Sequence, residues 1–215
     1  HARLVVVPSR FVGDELDELL DVALERVRVV APGVDPRYRP DPGPPPAALS
    51  RPYVLAVGTA SARKNLGLLD RVAPQLAREG VQLVLAGSTR GYLPEEQTSV
   101  LRLGYVPEPD LPALYAGAAA LAMPSLYEGF GMPCVEAMAC GTPVVASDRA
   151  ALPEACGGAA LLADPTDPDA FAAALVRAIG PERESLRAAG LERVRTLTWE
   201  RSAELVDAAI GELLP

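Results

Sequence analysis

The sequence predicts an α/β protein in which a parallel sheet is covered by helices on both faces. Short runs of β-branched residues alternate along the chain with amphipathic segments of helical length. Glycine follows several of these runs, as expected where strands turn into loops. The 215 residues are 49% apolar but only 5% aromatic, so alanine, leucine and valine must build the core. This length suits one large α/β domain or two small ones.

The strands are predicted from short apolar runs rich in β-branched residues, each bounded by glycine, proline or charged residues. We predict strands over residues 4–7, 27–30, 53–57, 81–86, 100–103, 119–123, 144–146 and 159–162.

The helices are predicted from apolar residues at intervals of three and four. The segment 66–78 is the clearest, with Leu68, Leu69, Val72 and Leu76 on one face. We predict helices over residues 14–24, 66–78, 111–118, 133–139, 168–179, 182–195 and 199–213. We expect Trp199 to anchor the last helix by packing.

A proline-rich stretch over residues 36–52 interrupts the alternation and indicates a boundary. We therefore divide the chain into residues 1–36, a linker over 37–52, a main domain over 53–198, and a last helix over 199–215.

Composition excludes several classes of function. The net charge of −8 argues against a nucleic-acid surface or an anionic membrane as the main partner. No apolar run reaches the roughly 18–20 residues of a membrane span, and no leader peptide is recognisable. Three cysteines, Cys134, Cys140 and Cys156, lack metal-binding spacing, and we expect buried thiols in a reducing cytoplasm.

Loops that follow strands are the places to look for a ligand site. In open parallel sheets, ligands bind beyond the carboxyl ends of the strands, where the strand order reverses. Three such loops are predicted, over residues 58–65, 87–91 and 124–132.

The first loop contains Lys64 and Asn65, the only lysine and the only asparagine of the chain. A lysine can place a compact ammonium group on a phosphate oxygen from a distance, because its side chain is flexible. An arginine instead presents a planar fork. The alternative is a solvated surface lysine, and this feature alone leaves both open.

The third loop carries the strongest motif, Glu-Gly-Phe-Gly-Met-Pro-Cys-Val-Glu over residues 128–136. Gly129 and Gly131 allow the backbone to approach a ligand, and Pro133 suits the first position of a helix. Free amides at such a helix start bind anions. Glu136, placed in the first helical turn, can accept two hydrogen bonds from a vicinal diol such as a ribose. The alternative is a tight turn with Glu136 as a partner of the helix dipole.

This motif resembles the Glu-x7-Glu signature of the family 4 retaining glycosyltransferases, which have the GT-B fold built from two Rossmann-like domains. Further segments agree with that family in order and spacing. They are residues 8–11, 32–35, 57–65, 85–87, 103–106, 111–115 and 197–199.

The resemblance implies a role for each matching residue. Arg63 and Lys64 would hold the diphosphate of a nucleotide-sugar donor, and Glu128 would contact the transferred sugar. Glu136 would bind the ribose, and the backbone of Tyr105 and Val106 would meet the base. The remaining donor contacts would come from Gly58, Thr59, Gly87, Gly129, Phe130, Gly131, Met132 and Pro133. No metal and no cofactor are expected.

The departures from the family pattern also carry information. Thr59 stands where many relatives have an arginine, so one phosphate contact is absent, and the Gly-Thr…Arg-Lys-Asn version favours mannose from a GDP donor. The segment between Gly87 and Leu103 is shorter than in most relatives, which points to different base recognition.

The resemblance also implies that residues 1–36 end an acceptor-binding N-terminal domain, that residues 53–198 form the Rossmann-like donor-binding domain, and that the last helix returns toward the first domain. The implied enzyme is a metal-independent hexosyltransferase acting on a glycan, lipid or small-molecule acceptor. We expect a cytoplasmic location or a peripheral one at the inner membrane face, and little transfer by these residues alone.

Two alternatives remain. One is a non-catalytic module that binds nucleotide sugars, and the other is a nucleotide-sugar epimerase or a phosphorylase of related fold. A dinucleotide oxidoreductase is disfavoured because no Gly-x-Gly-x-x-Gly follows the first strand of the main domain.

Overall fold

The computed structural model describes residues 2–44, 49, 52–59, 61–87 and 99–214. The strands are β1 Val5–Val7, β2 Val27–Val29, β3 Tyr53–Val57, β4 Gln82–Ala86, β5 Val100–Gly104, β6 Ala120–Met123, β7 Val144–Ser147 and β8 Leu161–Ala163. The helices are α1 Arg10–Leu20, α2 Gly67–Arg78, α3 Leu111–Ala116, α4 Met132–Ala139, α5 Leu152–Cys156, α6 Pro168–Ile179, α7 Arg183–Val194 and α8 Trp199–Gly211.

The predicted parallel sheet is confirmed. Six strands lie in the order β5-β4-β3-β6-β7-β8, and every neighbouring pair is parallel. The chain builds outward from β3 to β5 and then returns to place β6 on the other side of β3. The strand order therefore reverses between β3 and β6, which is where open α/β sheets form their ligand crevice. A separate parallel pair, β1 and β2, forms a small sheet.

Helices cover both faces of the larger sheet, as predicted. Val54 and Ala56 of β3 pack into the apolar layer under α2 and α6. Tyr53 and Leu55 point to the other side, into the layer formed by α3, α4 and α5. Because both faces are buried, the strands read as continuous apolar runs rather than alternating ones.

The first helix is displaced from its predicted position. It spans Arg10–Leu20 instead of 14–24, because the Ser9 side chain accepts a hydrogen bond from the Val12 amide and caps the helix start. Asp21 then ends the helix in the left-handed conformation, with φ at 55°. Residues Leu24–Arg26 form a separate 3-10 turn.

Helix α5 was not predicted, and the bounds of β8 and α3 differ from the predicted ones. Helix α5 spans only Leu152–Cys156, too short for apolar periodicity to reveal it. Its sequence still carries end signals, with Pro153 in its first turn and Gly157 in the left-handed conformation after it. Strand β8 begins two residues later than predicted, at Leu161, and α3 ends at Ala116 rather than 118.

Hydrogen bonds tie the small sheet to the main domain. The Ser9 hydroxyl donates to the Gly129 carbonyl at 2.7 Å. The Glu154 carboxylate accepts from the amides of Arg10 at 3.0 Å and Phe11 at 3.3 Å. Glu154 therefore caps the start of α1, although it lies more than 140 residues away in the sequence.

Helix α8 packs beside the small sheet and leaves an apolar groove. The Ser202 hydroxyl of α8 donates to the Ala31 carbonyl at 2.7 Å. The groove, about 530 Å³ in volume, is lined by residues that include Val6, Val30 and Trp199. Trp199 is 53% exposed, so about half of this predicted packing anchor is uncovered. Among the described residues, no helix combines the length and apolar character needed to cross a bilayer.

Gly87→Ala tests how closely the strand ends approach one another. A Cβ at Gly87 would lie 2.0 Å from the Gly58 carbonyl oxygen, and the backbone has φ at +142°. We expect a loss of at least about 2 kcal/mol in the free energy of unfolding, measured by urea denaturation.

Gly67→Ala is the matched control. Gly67 begins α2 and has open space around its Cβ position. Alanine there should leave stability unchanged or raise it by up to about 1 kcal/mol. Equal stability of the two variants would contradict the close approach.

Candidate functional site

Two loops meet where the strand order reverses. The loop after β3 contains the 3-10 turn Ala62–Lys64, and the loop after β6 runs to the start of α4. The Leu126 amide donates to the Arg63 carbonyl at 2.7 Å, and the Arg63 guanidinium donates to the Tyr127 carbonyl at 3.3 Å. The structure therefore joins two of the three predicted loops into one surface.

Asn65 fixes the conformation of the first loop. It ends the turn Ala62–Lys64 in the left-handed conformation, with φ at 49°, which asparagine tolerates better than most residues. Its amide donates to the carbonyls of Pro124 at 3.2 Å and Pro165 at 2.8 Å. This bridging role of Asn65 was not predicted, although Asn65 is the only asparagine of the sequence and this could have drawn attention to it.

Lys64 and Arg63 converge on Glu128. The Lys64 ammonium lies 2.7 Å from Glu128 Oε1, and the Arg63 guanidinium lies 3.0 Å from Glu128 Oε2. Lys64 and Glu128 are each only 8% exposed, while the Arg63 side chain is half exposed. The alternative of a solvated surface lysine is therefore wrong.

Gly58 makes room for the Lys64 side chain, and Gly87 makes room for the backbone of Gly58. A Cβ on Gly58 would lie 3.2 Å from Lys64 Cε and 3.4 Å from its ammonium nitrogen. The Gly58 amide donates to the Ala86 carbonyl at 2.9 Å, and Gly87 follows directly. The loops after β3 and β4 therefore meet beside the ammonium, and the Thr59 side chain next to Gly58 is exposed.

Backbone amides without a hydrogen-bond acceptor in the described structure directly precede α4. Helix α4 begins at Met132. Pro133 is therefore its second residue, whereas the sequence predicted it as the first. Gly131 precedes it with φ at +107°, where a Cβ would lie 2.5 Å from the Leu152 side chain. Within the described part of the chain, the amides of residues 129–131 donate to no acceptor.

The side chain of Phe130 points into a small core rather than toward a ligand. It packs with Val135, Ala155 and Leu197 and is 6% exposed. Gly129 lies against α1, since a Cβ there would meet Val12 at 3.6 Å. These two residues can therefore reach a ligand only through their backbone.

Glu136 lies in the second turn of α4, not in the first as predicted, because the helix begins at Met132. Its Oε2 accepts a hydrogen bond from the Tyr115 hydroxyl at 2.7 Å. Burial raises the pKa of Glu136, and the Tyr115 hydroxyl opposes that rise by stabilising the carboxylate. Glu136 is thus a partly buried, hydrogen-bonded carboxylate rather than a simple partner of the helix dipole. Its contact with Tyr115 was not predicted from the sequence.

Tyr105 and Val106 follow β5, the edge strand beyond β4. The Tyr105 side chain is 80% exposed. Since neighbouring strands lie about 4.8 Å apart, these residues stand about 10 Å from the end of β3. The prediction about the short segment after Gly87 falls on residues 88–98, which lie outside the described residues.

The electrostatics of this surface favour an anion. Two cationic side chains and one carboxylate meet there, which leaves one net positive charge. The start of α4 adds free amides and the positive end of a helix dipole.

A double-mutant cycle on Lys64 and Glu128 tests their buried pairing. Lys64→Met leaves a buried carboxylate with one exposed partner, and we expect a loss of about 3 kcal/mol in the free energy of unfolding. Lys64→Met combined with Glu128→Gln should cost clearly less than the sum of the single changes. The exposed Arg201–Glu204 pair serves as control and should show no coupling by urea denaturation. Additive effects at Lys64 and Glu128 would contradict the buried pair.

Known proteins similar to this chain belong to one functional class, as the family profile and two relatives illustrate. The profile of the family "Glycosyl transferases group 1" matches residues 51–180. The O-antigen chain mannosyltransferase B of Escherichia coli is 42% identical over 163 residues, which cover 69% of this chain and 42% of that protein. The MMP alpha-(1->4)-mannosyltransferase of Mycolicibacterium hassiacum is 33% identical over 216 residues, which cover 93% of this chain and 51% of that protein.

A solved structure confirms the fold. The sucrose-phosphate synthase of Thermosynechococcus elongatus superposes with a TM-score of 0.78 at 27% identity, over 99% of this chain and 59% of that one. The Rossmann-like, parallel α/β sheet predicted for a GT-B protein is therefore correct. This chain spans about half the length of the two mannosyltransferases that it resembles. The family match covers more than half of the 215 residues, so the chain belongs to the group 1 glycosyl transferases.

Proposed function

We propose that this chain is the donor-binding half of a family 4 retaining glycosyltransferase. The enzyme would transfer a hexose, with mannose preferred, from a nucleotide diphosphate donor to a glycan, lipid or small-molecule acceptor. The observation that carries this proposal is the convergence of Arg63 and Lys64 on Glu128, beside the free amides at the start of α4.

The cations and the helix start would hold the donor's diphosphate between them. Lys64 is nearly fixed by burial, whereas Arg63 has half of its side chain exposed and can turn toward a phosphate. Charge builds up on the diphosphate as the sugar leaves, and preorganised positive groups stabilise it. We propose that this pair does the work of a metal ion, so that chelation of divalent metals leaves transfer unchanged.

Glu128 would contact the transferred sugar rather than the diphosphate. It lies in the loop after β6, directly before residues 129–131, whose amides donate to no acceptor among the described residues. A sugar attached to a diphosphate at those amides would therefore lie next to its carboxylate. When phosphate oxygens take over the cations, Glu128 is released to accept hydrogen bonds from sugar hydroxyls.

The nucleoside would extend along the carboxyl edge of the sheet toward β5. Glu136 would accept hydrogen bonds from the ribose, and the backbone of Tyr105 and Val106 would meet the base. The preference for GDP-mannose is supported by the Gly-Thr…Arg-Lys-Asn loop and by the names of the two mannosyltransferase relatives.

The acceptor would bind to a preceding domain, of which residues 1–36 form the end. Two parallel strands are too few for a stable independent sheet, so β1 and β2 need further partners. The apolar groove between this sheet and α8, with Trp199 at its side, suits such packing. We also propose a cytoplasmic location, or a peripheral one at the inner membrane face.

Thermal unfolding with nucleotide diphosphates tests donor binding. A diphosphate present at 100 times its dissociation constant should add about 2.7 kcal/mol of stability. We expect GDP to stabilise the chain more than UDP or ADP. The absence of stabilisation by any of the three would refute the proposal.

Arg63→Gln locates the diphosphate within the site. Loss of one charge-assisted phosphate contact should weaken GDP binding roughly tenfold or more, without changing guanosine binding. The matched control is Arg78→Gln, at the far end of α2, which should bind GDP normally. Equal GDP binding by both variants, measured by calorimetry, would contradict the role of Arg63.

Glu128→Gln in the full-length protein separates an enzyme from a binding module. We expect turnover to fall by at least about a hundredfold while GDP binding persists, since the carboxylate would act on the sugar. A binding module would show no turnover to lose, and an epimerase would convert the donor without acceptor. The 215 residues alone should transfer little sugar, and substantial transfer by them would contradict the assignment as a donor-binding half.

A further inference from the structure

Tyr115 is a buried tyrosine whose hydroxyl contacts the proposed ribose-binding carboxylate. It lies in α3, has no exposed surface, and donates to Glu136 Oε2 at 2.7 Å. We propose that Tyr115 is a positioning residue that orients the Glu136 carboxylate and leaves its other oxygen free for the ribose diol of the donor. This inference rests on the proposed function.

Two contacts restrain Tyr115, one on its backbone and one on its ring. Thr142 donates from its hydroxyl to the Tyr115 carbonyl at 2.7 Å, which fixes the backbone. The ring of Tyr38 packs edge-on against that of Tyr115, with centroids 5.7 Å apart and an interplanar angle of 72°. A tyrosine has two side-chain torsions, and packing of this kind leaves its hydroxyl in one place. The hydroxyl can therefore select one rotamer of Glu136.

The two carboxylate oxygens of Glu136 then have different roles. Oε2 accepts from Tyr115, whereas Oε1 has no hydrogen bond or ion pair with any residue that the structure describes. Glu136 is only partly buried, so a ligand can reach it. A carboxylate oxygen accepts two hydrogen bonds, which is what two vicinal hydroxyls require.

The same hydroxyl favours the ionised form of Glu136. Burial and Glu108 raise the pKa of Glu136, while the Tyr115 hydroxyl and Lys64 lower it. Loss of the hydroxyl would therefore raise this pKa. The charged form of Glu136 accepts hydrogen bonds from the diol. On acidification, a protein without the Tyr115 hydroxyl should therefore begin to lose nucleotide affinity at a higher pH.

Tyr115→Phe tests the inference against a matched control, Tyr53→Phe. Tyr53 lies in the same apolar layer, and its buried hydroxyl donates to the Leu114 carbonyl at 2.7 Å, away from Glu136. Both changes remove one buried hydroxyl and keep the ring. The probes are GDP and 2′,3′-dideoxy-GDP, titrated by calorimetry over a range of pH, with circular dichroism to confirm folding.

We expect Tyr115→Phe to weaken GDP binding roughly tenfold, with little change for the dideoxy analogue, and to move the acidic loss of GDP affinity to higher pH. Tyr53→Phe should change neither quantity. A folded Tyr115→Phe variant with normal GDP affinity and pH dependence would overturn the inference, as would equal weakening of GDP and its analogue. If the unaltered chain binds no nucleotide diphosphate, the proposed function fails, and this inference fails with it.

Discussion

The buried contact of Glu128 with Lys64 and Arg63 is the interaction on which the rest of the site depends. It joins loops that leave β3 and β6, the two strands between which the strand order reverses. Two other features serve the same junction. Asn65 bridges two neighbouring loops through its side-chain amide. Gly58 allows the backbone after β3 to lie against the ammonium, and Gly87 allows the end of β4 to lie against the backbone of Gly58. These contacts bring charged side chains together at the carboxyl edge of the sheet, where ligands bind in open parallel sheets.

Under the proposed function, the overall charge of the protein makes a local positive site necessary. With a net charge of −8, the chain offers no general attraction for an anionic ligand. Binding of a diphosphate must therefore come from groups close to it. Such groups are a nearly buried ammonium, an exposed guanidinium and the amides before α4, which have no acceptor among the described residues. The carboxylate of Glu128 balances part of this charge in the free protein, and a bound diphosphate would take its place as the partner of the cations.

Much of this could be read from the sequence, and the exceptions have physical causes. Apolar runs placed the strands well, because buried parallel strands carry a strong signal. Helix ends were harder, since they depend on caps such as Ser9 and on left-handed residues such as Asp21. The motif gave Glu128 and Glu136 but not their partners. The pairing of Tyr115 with Glu136 joins residues 21 positions apart on different helices, which no local pattern reveals. The capping of α1 by Glu154 is likewise a tertiary contact.

The most direct measurement is a crystal structure of this chain with a bound nucleotide diphosphate. Our account predicts phosphate oxygens within hydrogen-bond distance of the Lys64 ammonium and of the amides of residues 129–131, with the ribose at Glu136. A nucleotide bound elsewhere, such as in the groove beside Trp199, with Lys64 still paired only with Glu128, would contradict it.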